Sequence, residues 1–298
     1  MRRTMTYNQF MEHVLKHLED YKRDVLGIEV KGIYKYQGME IPKGYILPLD
    51  KQAKKQAVEE FNQLECIKEK PFLIAEHLHR YAHHLNSSQL MCYNFFRPYI
   101  ERPRDAGDKP NQDLIDLLVS HDVNISLCDN AKCQFEYVND EPEWRDEGTN
   151  FDFYIESGKT KIYFEIKYTE QGFGGCEKDV NHENKFEGNY KGFKGGYKEK
   201  IVNCPAIKED MKHGIKFDDD FRKNYQLFRN VIRVINKKTY AVFIYDARNY
   251  SIVTQFENFR DSYISDEYKK NVIAITWQKL VENLESCHIK QFRKKYLG

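Results

Sequence analysis

Two runs dense in aromatic and β-branched residues, Thr149-Asn-Phe-Asp-Phe-Tyr-Ile-Glu and Lys161-Ile-Tyr-Phe-Glu-Ile-Lys-Tyr-Thr-Glu, flank the short segment Ser157-Gly-Lys-Thr. That pattern predicts a β-hairpin. A two-residue loop centred on Gly158-Lys159, with Gly at its first central position, leaves Asp152 and Glu165 equally far from the turn. Residues opposed in such a ladder have Cβ atoms about 5 Å apart on one face. Alternation puts Glu165 and Lys167 on that face and Phe164, Ile166 and Tyr168 on the other. On the partner strand, Phe151, Phe153 and Ile155 are expected to point away from Asp152 and Tyr154. Two carboxylates and one ammonium therefore gather over an apolar backing. Directly opposed like charges destabilise a hairpin. They need a positive partner, either Lys167 or a divalent cation.

Asp152 followed by Glu165-Ile166-Lys167 resembles the signature of the PD-(D/E)xK nuclease superfamily, an acidic residue, a spacer, then Glu-x-Lys on the next strand. The longer string Phe151-Asp-Phe-Tyr-Ile-Glu with Phe164-Glu-Ile-Lys-Tyr-Thr-Glu is similar to a bacterial family of predicted restriction endonucleases in that superfamily. One departure is Asn150, which stands where the superfamily often has Pro. The resemblance implies an α/β fold, a restriction-endonuclease-like αβββαβ core with a mixed central sheet flanked by helices. It implies a Mg²⁺- or Mn²⁺-dependent DNA endonuclease acting in restriction or phage defence. Asp152 and Glu165 would ligate the metal with the Ile166 carbonyl, and Lys167 would orient water or stabilise developing negative charge.

Two further segments resemble the same family. Ser87-Ser-Gln with Asn94-Phe-Phe falls before the catalytic sheet, where Gln89 and Asn94 would line the cleft; the alternative is that they cap or hydrogen-bond within their helix. Tyr225-Gln-Leu-Phe-Arg-Asn falls after it, and Gln226 would steady the site.

At 298 residues the chain suits one large domain or two small ones. The expected division is a helical N-terminal extension over 1–70, packed on the core, and a nuclease-like domain over 71–298. A mean hydropathy of −0.76, with no apolar run near the roughly 20 residues of a membrane span, speaks against a membrane protein. No signal-peptide core is seen, and seven cysteines without a compact framework suggest reduced thiols in the cytoplasm. Cys128 and Cys133 lack the further ligands of a zinc site. With 47 basic and 46 acidic residues, overall charge does not announce nucleic-acid binding, so any DNA-facing surface must arise from local segregation.

Residues 7–24 carry Phe10, Val14, Leu15, His17 and Leu18 at helical spacing. Residues 28–50 read as irregular structure or a small hairpin, and a helical pattern resumes from Lys51 to about Glu65. Pro71 is placed to open a long helix with Ile74, Leu78, Tyr81, Ala82 and Leu85 as its stripe. His79 and His83 have the i, i+4 spacing of a helical metal pair, but lack the His-Glu-x-x-His context and read as surface histidines. A second helical piece follows, capped by serine. Residues 103–123 read as a charged loop and an apolar helix.

Cys133 to Val138 reads as a strand with Phe135 and Tyr137 on one face. Glu136, on the other, is either a third carboxylate of the site or an exposed strand glutamate.

After Glu170 the chain turns Gly- and Lys-rich, with Phe173, Phe186, Tyr190, Phe193 and Tyr197 interleaved. The reading is an irregular segment, suited to phosphates and unpaired bases or simply solvated. Asp218-Asp-Asp opens a helix from about Phe221 to Ile235, with Phe221, Tyr225, Phe228, Ile232 and Ile235 buried. Arg222, Gln226, Arg229 and Arg233 form one polar stripe, which is expected to face DNA or the active site. Tyr240-Ala-Val-Phe-Ile-Tyr reads as a buried central strand. Residues 253–298 read as helical packing with a solvated basic end from Lys290 to Lys295. A homodimer is possible, as type II-like enzymes often pair subunits to cut both strands. The competing function is a non-catalytic nucleic-acid-binding module on the same scaffold.

Overall fold

The computed structural model describes residues 5–48, 54–68, 78–102, 107–139, 144, 150–190, 193 and 195–298. They form two compact units. Unit 1 is Met1–Ile100, Asp246–Tyr250 and Thr276–Gly298, and unit 2 is Glu101–Tyr245 and Ser251–Ile275. Among the described residues no helix is long and apolar enough to cross a membrane.

Unit 1 begins with the helix Tyr7–Asp24. Its N-terminus is closed by a capping box in which the Thr6 hydroxyl accepts from Gln9 N–H and the Gln9 side chain accepts from Thr6 N–H. Of the expected stripe, Phe10, Val14 and Leu18 reach the core. Strands β1 (Gly32–Tyr36) and β2 (Met39–Lys43) pair as a hairpin about Gln37-Gly38, both at positive φ, as a type I′ turn requires. The helical pattern after Lys51 appears as a short helix Lys54–Ala57 and a wider π turn Val58–Asn62. The start of the helix predicted from Pro71 lies outside the described residues. Its continuation, residues 78–87, is turns rather than helix. The reason is where its backbone bonds go: Leu85 N–H donates to Tyr45 and Leu47 N–H to the His83 carbonyl, at 3.0 and 3.3 Å. His83 is consequently buried, not a surface residue. The second helix, Ser88–Phe96, is capped by Ser87 as predicted and is buried from Gln89 to Phe96. It packs Phe95 on Trp277 and on Phe292 of the helix Cys287–Tyr296. Lys295 in that helix is fully buried, its ammonium donating to the Asn62 carbonyl and side-chain oxygens, so the basic end is not simply solvated.

Unit 2 is a mixed α/β body around a five-stranded sheet, the layered arrangement expected. Its strands are β3 (Lys132–Val138), β4 (Asn150–Ser157), β5 (Thr160–Ile166), β6 (Thr239–Tyr245) and β7 (Val272–Thr276), adjacent in that order. β3, β4 and β5 run antiparallel in turn, while β5 and β6 are parallel. Every residue of β6 is buried, which explains its unbroken apolar run. β7 corrects the helical reading of 253–298: Val-Ile-Ala-Ile is a β-branched run of strand length.

The parallel crossover from β5 to β6 carries the helices Val180–Glu187, Gly196–Asn203 and Tyr225–Val231. The aromatics of 171–200 are therefore not a free stacking surface. Phe173, Phe186, Phe193 and Tyr197 are buried with Phe217, Phe221 and Phe228 in one core that also holds Ala241 and Phe243 of β6. The two short helices meet at glycines: a Cβ on Gly196 would stand 2.4 Å from the Gly188 nitrogen, at a φ of +60°. The helix expected over 221–235 is broken as well. It comprises a π turn Phe217–Phe221, a 3₁₀ turn Arg222–Asn224 and an α-helix limited to Tyr225–Val231, leaving Ile235 exposed.

A pH dependence follows from unit 1. Burial pushes His83 down to about 4 and His84 to about 3 from an ordinary 6.5. The unfolded chain therefore binds more protons than the folded one between pH 6.5 and about 4, and stability present above that window is lost as pH falls through it. Urea midpoints measured from pH 7 to 4 should fall with acidification in the wild type and fall less steeply in His83→Gln/His84→Gln. Identical slopes would contradict this.

Candidate active site

The β4–β5 hairpin adopts the predicted register: Ser157 pairs with Thr160, Tyr154 with Tyr163 and Phe153 with Phe164. Continuing it sets Asp152 against Glu165. Of the two central turn residues only Gly158 has positive φ, the requirement of a II′ turn. On the other side of β4, Phe135 pairs with Phe153 and Tyr137 with Phe151, so Glu136 falls opposite Asp152 where the ladder skips a pair. Glu136 has a φ of +49°, a left-handed conformation that costs a non-glycine residue about 1–2 kcal/mol. The alternation predicted for β4 fails beside this kink. Phe151 packs on Tyr163 at 4.7 Å, the face of Tyr154, rather than with Phe153.

Glu165 and Lys167 are almost completely buried, at 4% and 7% exposure. The Lys167 ammonium donates to Glu165 Oε1 at 2.7 Å. Glu165 Oε2 accepts from Asn230 Nδ2 at 3.1 Å and has the Arg229 guanidinium at 3.7 Å. Half-buried Asp152 accepts from Ile166 N–H at 2.6 Å. The hairpin thus supplies the acids and the lysine, and the helix Tyr225–Val231 supplies the groups that hold Glu165.

Electrostatics divide the two carboxylates. Burial, and then the charges of Glu165 and Glu136, push the Asp152 carboxyl well above the usual range despite Lys167. Burial also opposes ionisation of Glu165. There the Lys167 and Arg229 charges and the hydrogen bonds from Lys167 and Asn230 win, holding it below its ordinary value. Burial pulls Lys167 down, but the charges of Glu165, Glu170 and Asp152 hold it above its ordinary value. The site therefore pairs a carboxyl raised by burial and like charge with one held low by its cationic and hydrogen-bonding neighbours.

The remaining predicted residues divide. Gln226 lies one helical turn before Asn230, its backbone carbonyl accepting from Asn230 Nδ2 at 2.8 Å. Its side chain sits against Gly174, where a Cβ would come 3.0 Å from Oε1. Arg229 faces Glu165 and lies 5.4 Å from the Tyr225 ring centre. Arg222 is turned to Asp218 at 3.5 Å. Arg233 is not displayed on the surface: it is buried, its guanidinium 3.5 Å over Trp144 and 5.2 Å from Phe151. The stripe breaks because the α-helix ends at Val231. In unit 1, the Gln89 side chain accepts from His79 N–H at 2.9 Å. Asn94 bonds to Leu64 N–H, the Asn62 carbonyl and the Tyr296 hydroxyl. Asn230 escaped the sequence reading, although it stands four residues after Gln226 on the same stripe.

The carboxylates of Asp152 and Glu165 and the Ile166 carbonyl are hard oxygen donors of the kind Mg²⁺ prefers. Burial and the neighbouring Glu165 and Glu136 charges that raise the Asp152 carboxyl are the setting in which a bound cation would favour its ionised form. Among the described residues no three His, Cys, Asp or Glu side chains converge on one point as a metal cluster, so the two acids and the carbonyl are the donors to consider.

A family model described as restriction endonuclease associating with ARP matches residues 15–297. No curated protein and no solved structure matches the chain.

The Asn230–Glu165 bond is testable by a double-mutant cycle with Asn230→Ala and Glu165→Gln in urea unfolding. A hydrogen bond to a buried charged group predicts coupling of about 1.5–3 kcal/mol. Additive effects would contradict it.

Proposed function

We propose, on the premise that this chain belongs to the family described as restriction endonuclease associating with ARP, that it is a Mg²⁺-dependent DNA endonuclease with its active site on the β4–β5 hairpin. One observation carries the reading: a hairpin register that, continued one pair beyond Phe153–Phe164, opposes Asp152 and Glu165, with the Lys167 ammonium bonded to Glu165 at 2.7 Å. A surface ion-pair cluster has no need of burial, since exposed pairs add only about 0–1 kcal/mol. The helix Gln112–Ser120, β3, β4, β5, the helix Tyr225–Val231 and β6 are read as the αβββαβ core, with the two short helices as insertions. A restriction or phage-defence role is part of the same proposal.

In this mechanism Asp152, Glu165 and the Ile166 carbonyl would hold the cation. When bound, Mg²⁺ supplies a hydroxide near neutral pH and relieves charge on the phosphate oxygens. Lys167 directs its ammonium at the attacking water or at the developing negative charge. Arg229 and Asn230 keep the Glu165 carboxylate ionised and oriented. Glu136, opposite Asp152 in the strand register, adds negative charge to the same edge, and Gln226 steadies the turn of helix that carries Asn230. Arg222, partly exposed on the preceding turn, is the stripe residue best placed to meet a phosphate.

One observation favours a second reading, a nucleic-acid-binding module that does not cleave. Both Glu165 oxygens already have protein partners, so a cation must compete with Lys167 for one of them.

Plasmid cleavage separates the two. Wild type should nick or cut DNA with Mg²⁺ and stop on chelation, and Asp152→Ala should fall to background while remaining folded. Lys167→Met should lose about a hundred- to a thousandfold, the scale of one removed charge-stabilising donor. Full activity in Asp152→Ala would overturn the site assignment.

A further inference from the structure

The β1–β2 hairpin of unit 1 sorts its side chains by chemistry. Tyr34 pairs with Ile41 and Tyr36 with Met39, so these four share one face, while Lys35 and Glu40 pair on the other. There Lys35 and Glu40 neutralise each other at 2.9 Å. The ring face continues onto residues 79–81. Tyr36 stacks on Tyr34 with centroids 6.3 Å apart and planes 12° from parallel. Tyr34 meets Tyr81 at 6.1 Å, Tyr81 meets His79 at 5.3 Å, and the Arg80 guanidinium lies 4.6 Å over the Tyr81 ring. Tyr36 and Met39 remain 49% and 55% exposed. Arg80 has no acidic partner among the described residues.

This surface is held in place from beneath. The buried Gln89 amide accepts from His79 N–H, and fully buried Asn62 donates to the Ala82 and His84 carbonyls at 2.6 and 3.0 Å. An isolated bridge between Ile46 and His84 ties the turn to the chain leaving the hairpin. Buried amides thus fix the backbone of an exposed turn that presents an imidazole, a guanidinium and a phenol side by side. Solubility alone would not call for open rings, and a purely apolar docking patch would not carry a guanidinium among them.

We propose that this ring face binds single-stranded DNA, with bases stacking on Tyr36 and Tyr81 and a backbone phosphate meeting Arg80. Every base has a π face, so such a platform is tolerant of sequence. Segregation of Glu40 to the opposite face leaves the ring side compatible with a polyanion. The choice of DNA as the partner rests on the nuclease reading, but the surface is independent of the β4–β5 hairpin.

The test is fluorescence anisotropy with the full chain in chelator, using a labelled oligothymidylate of about twenty nucleotides, a length several times one stacking site. Wild type should bind the oligonucleotide. Tyr36→Ala/Tyr81→Ala should bind roughly ten- to a hundredfold more weakly, while Tyr36→Phe/Tyr81→Phe, which keeps the rings and the packing, should match wild type. No binding by wild type, or equal affinity in the alanine pair, would overturn the proposal. Because no cleavage is involved, failure of the nuclease reading shows separately, as wild type that binds the oligonucleotide yet never cuts a plasmid.

Discussion

The buried contact between Lys167 and Glu165 organises unit 2. An ion pair with both members under a tenth exposed carries a desolvation cost that its Coulombic attraction offsets only if the remaining polar atoms are satisfied. The surrounding structure meets that condition at both oxygens of Glu165. Glu165 Oε2 is bonded by Asn230 with Arg229 close by, and both come from the helix Tyr225–Val231, which the crossover between β5 and β6 delivers to this face. Breaking such a pair by removing one partner costs about 3–5 kcal/mol. The aromatic core of Phe186, Tyr197, Phe221 and Phe228 has a matching role, anchoring the segment from which that helix emerges. Structure and proposed chemistry meet at one carboxylate, held ionised by three neighbours, beside Asp152, whose carboxyl burial pushes well above the usual range.

Unit 1 uses neutral amides in the same way. Asn62, Gln89 and Asn94 are buried, and each bonds backbone groups that neither a helix nor a sheet satisfies. A buried polar network of this kind fixes one backbone arrangement when it is fully satisfied. Lys295 joins it through Asn62, and burial holds its ammonium well below the usual lysine range. The result is a set of irregular segments fixed in place, among them the turn that carries His79, Arg80 and Tyr81.

What the sequence reveals and what it hides have physical reasons. The hairpin was legible because Gly158 fixes the turn and the register then follows by counting, which placed Asp152 against Glu165 without any tertiary information. β6 was legible from its unbroken apolar run, and the Ser87 cap from the helical pattern it precedes. The segment 171–200 misled because its lysines and glycines suggest a solvated loop. Its aromatics outweigh them, since rings of this size gain most by leaving water. The arginine stripe failed because a uniform α-helix was assumed across 221–235, while the chain uses π, 3₁₀ and α turns in succession. That change of pitch buries Arg233 and leaves Arg229 on Glu165. Glu136 was found as a candidate by strand position, but its left-handed backbone has no signature in a residue of that type. Gln89 and Asn94 were read as cleft residues by resemblance, or as bonding within their helix, and their bonds to groups outside it depend on other segments of the chain.

The most direct test of the central claim is calorimetric titration of Mn²⁺ into wild type and Asp152→Ala. If Asp152 and Glu165 form a cation site on the β4–β5 hairpin, wild type binds one ion at this site and the variant loses that isotherm while its thermal unfolding still reports a folded protein. Equal binding by both proteins would place the metal elsewhere, and no binding by either would contradict a metal-dependent active site on this hairpin.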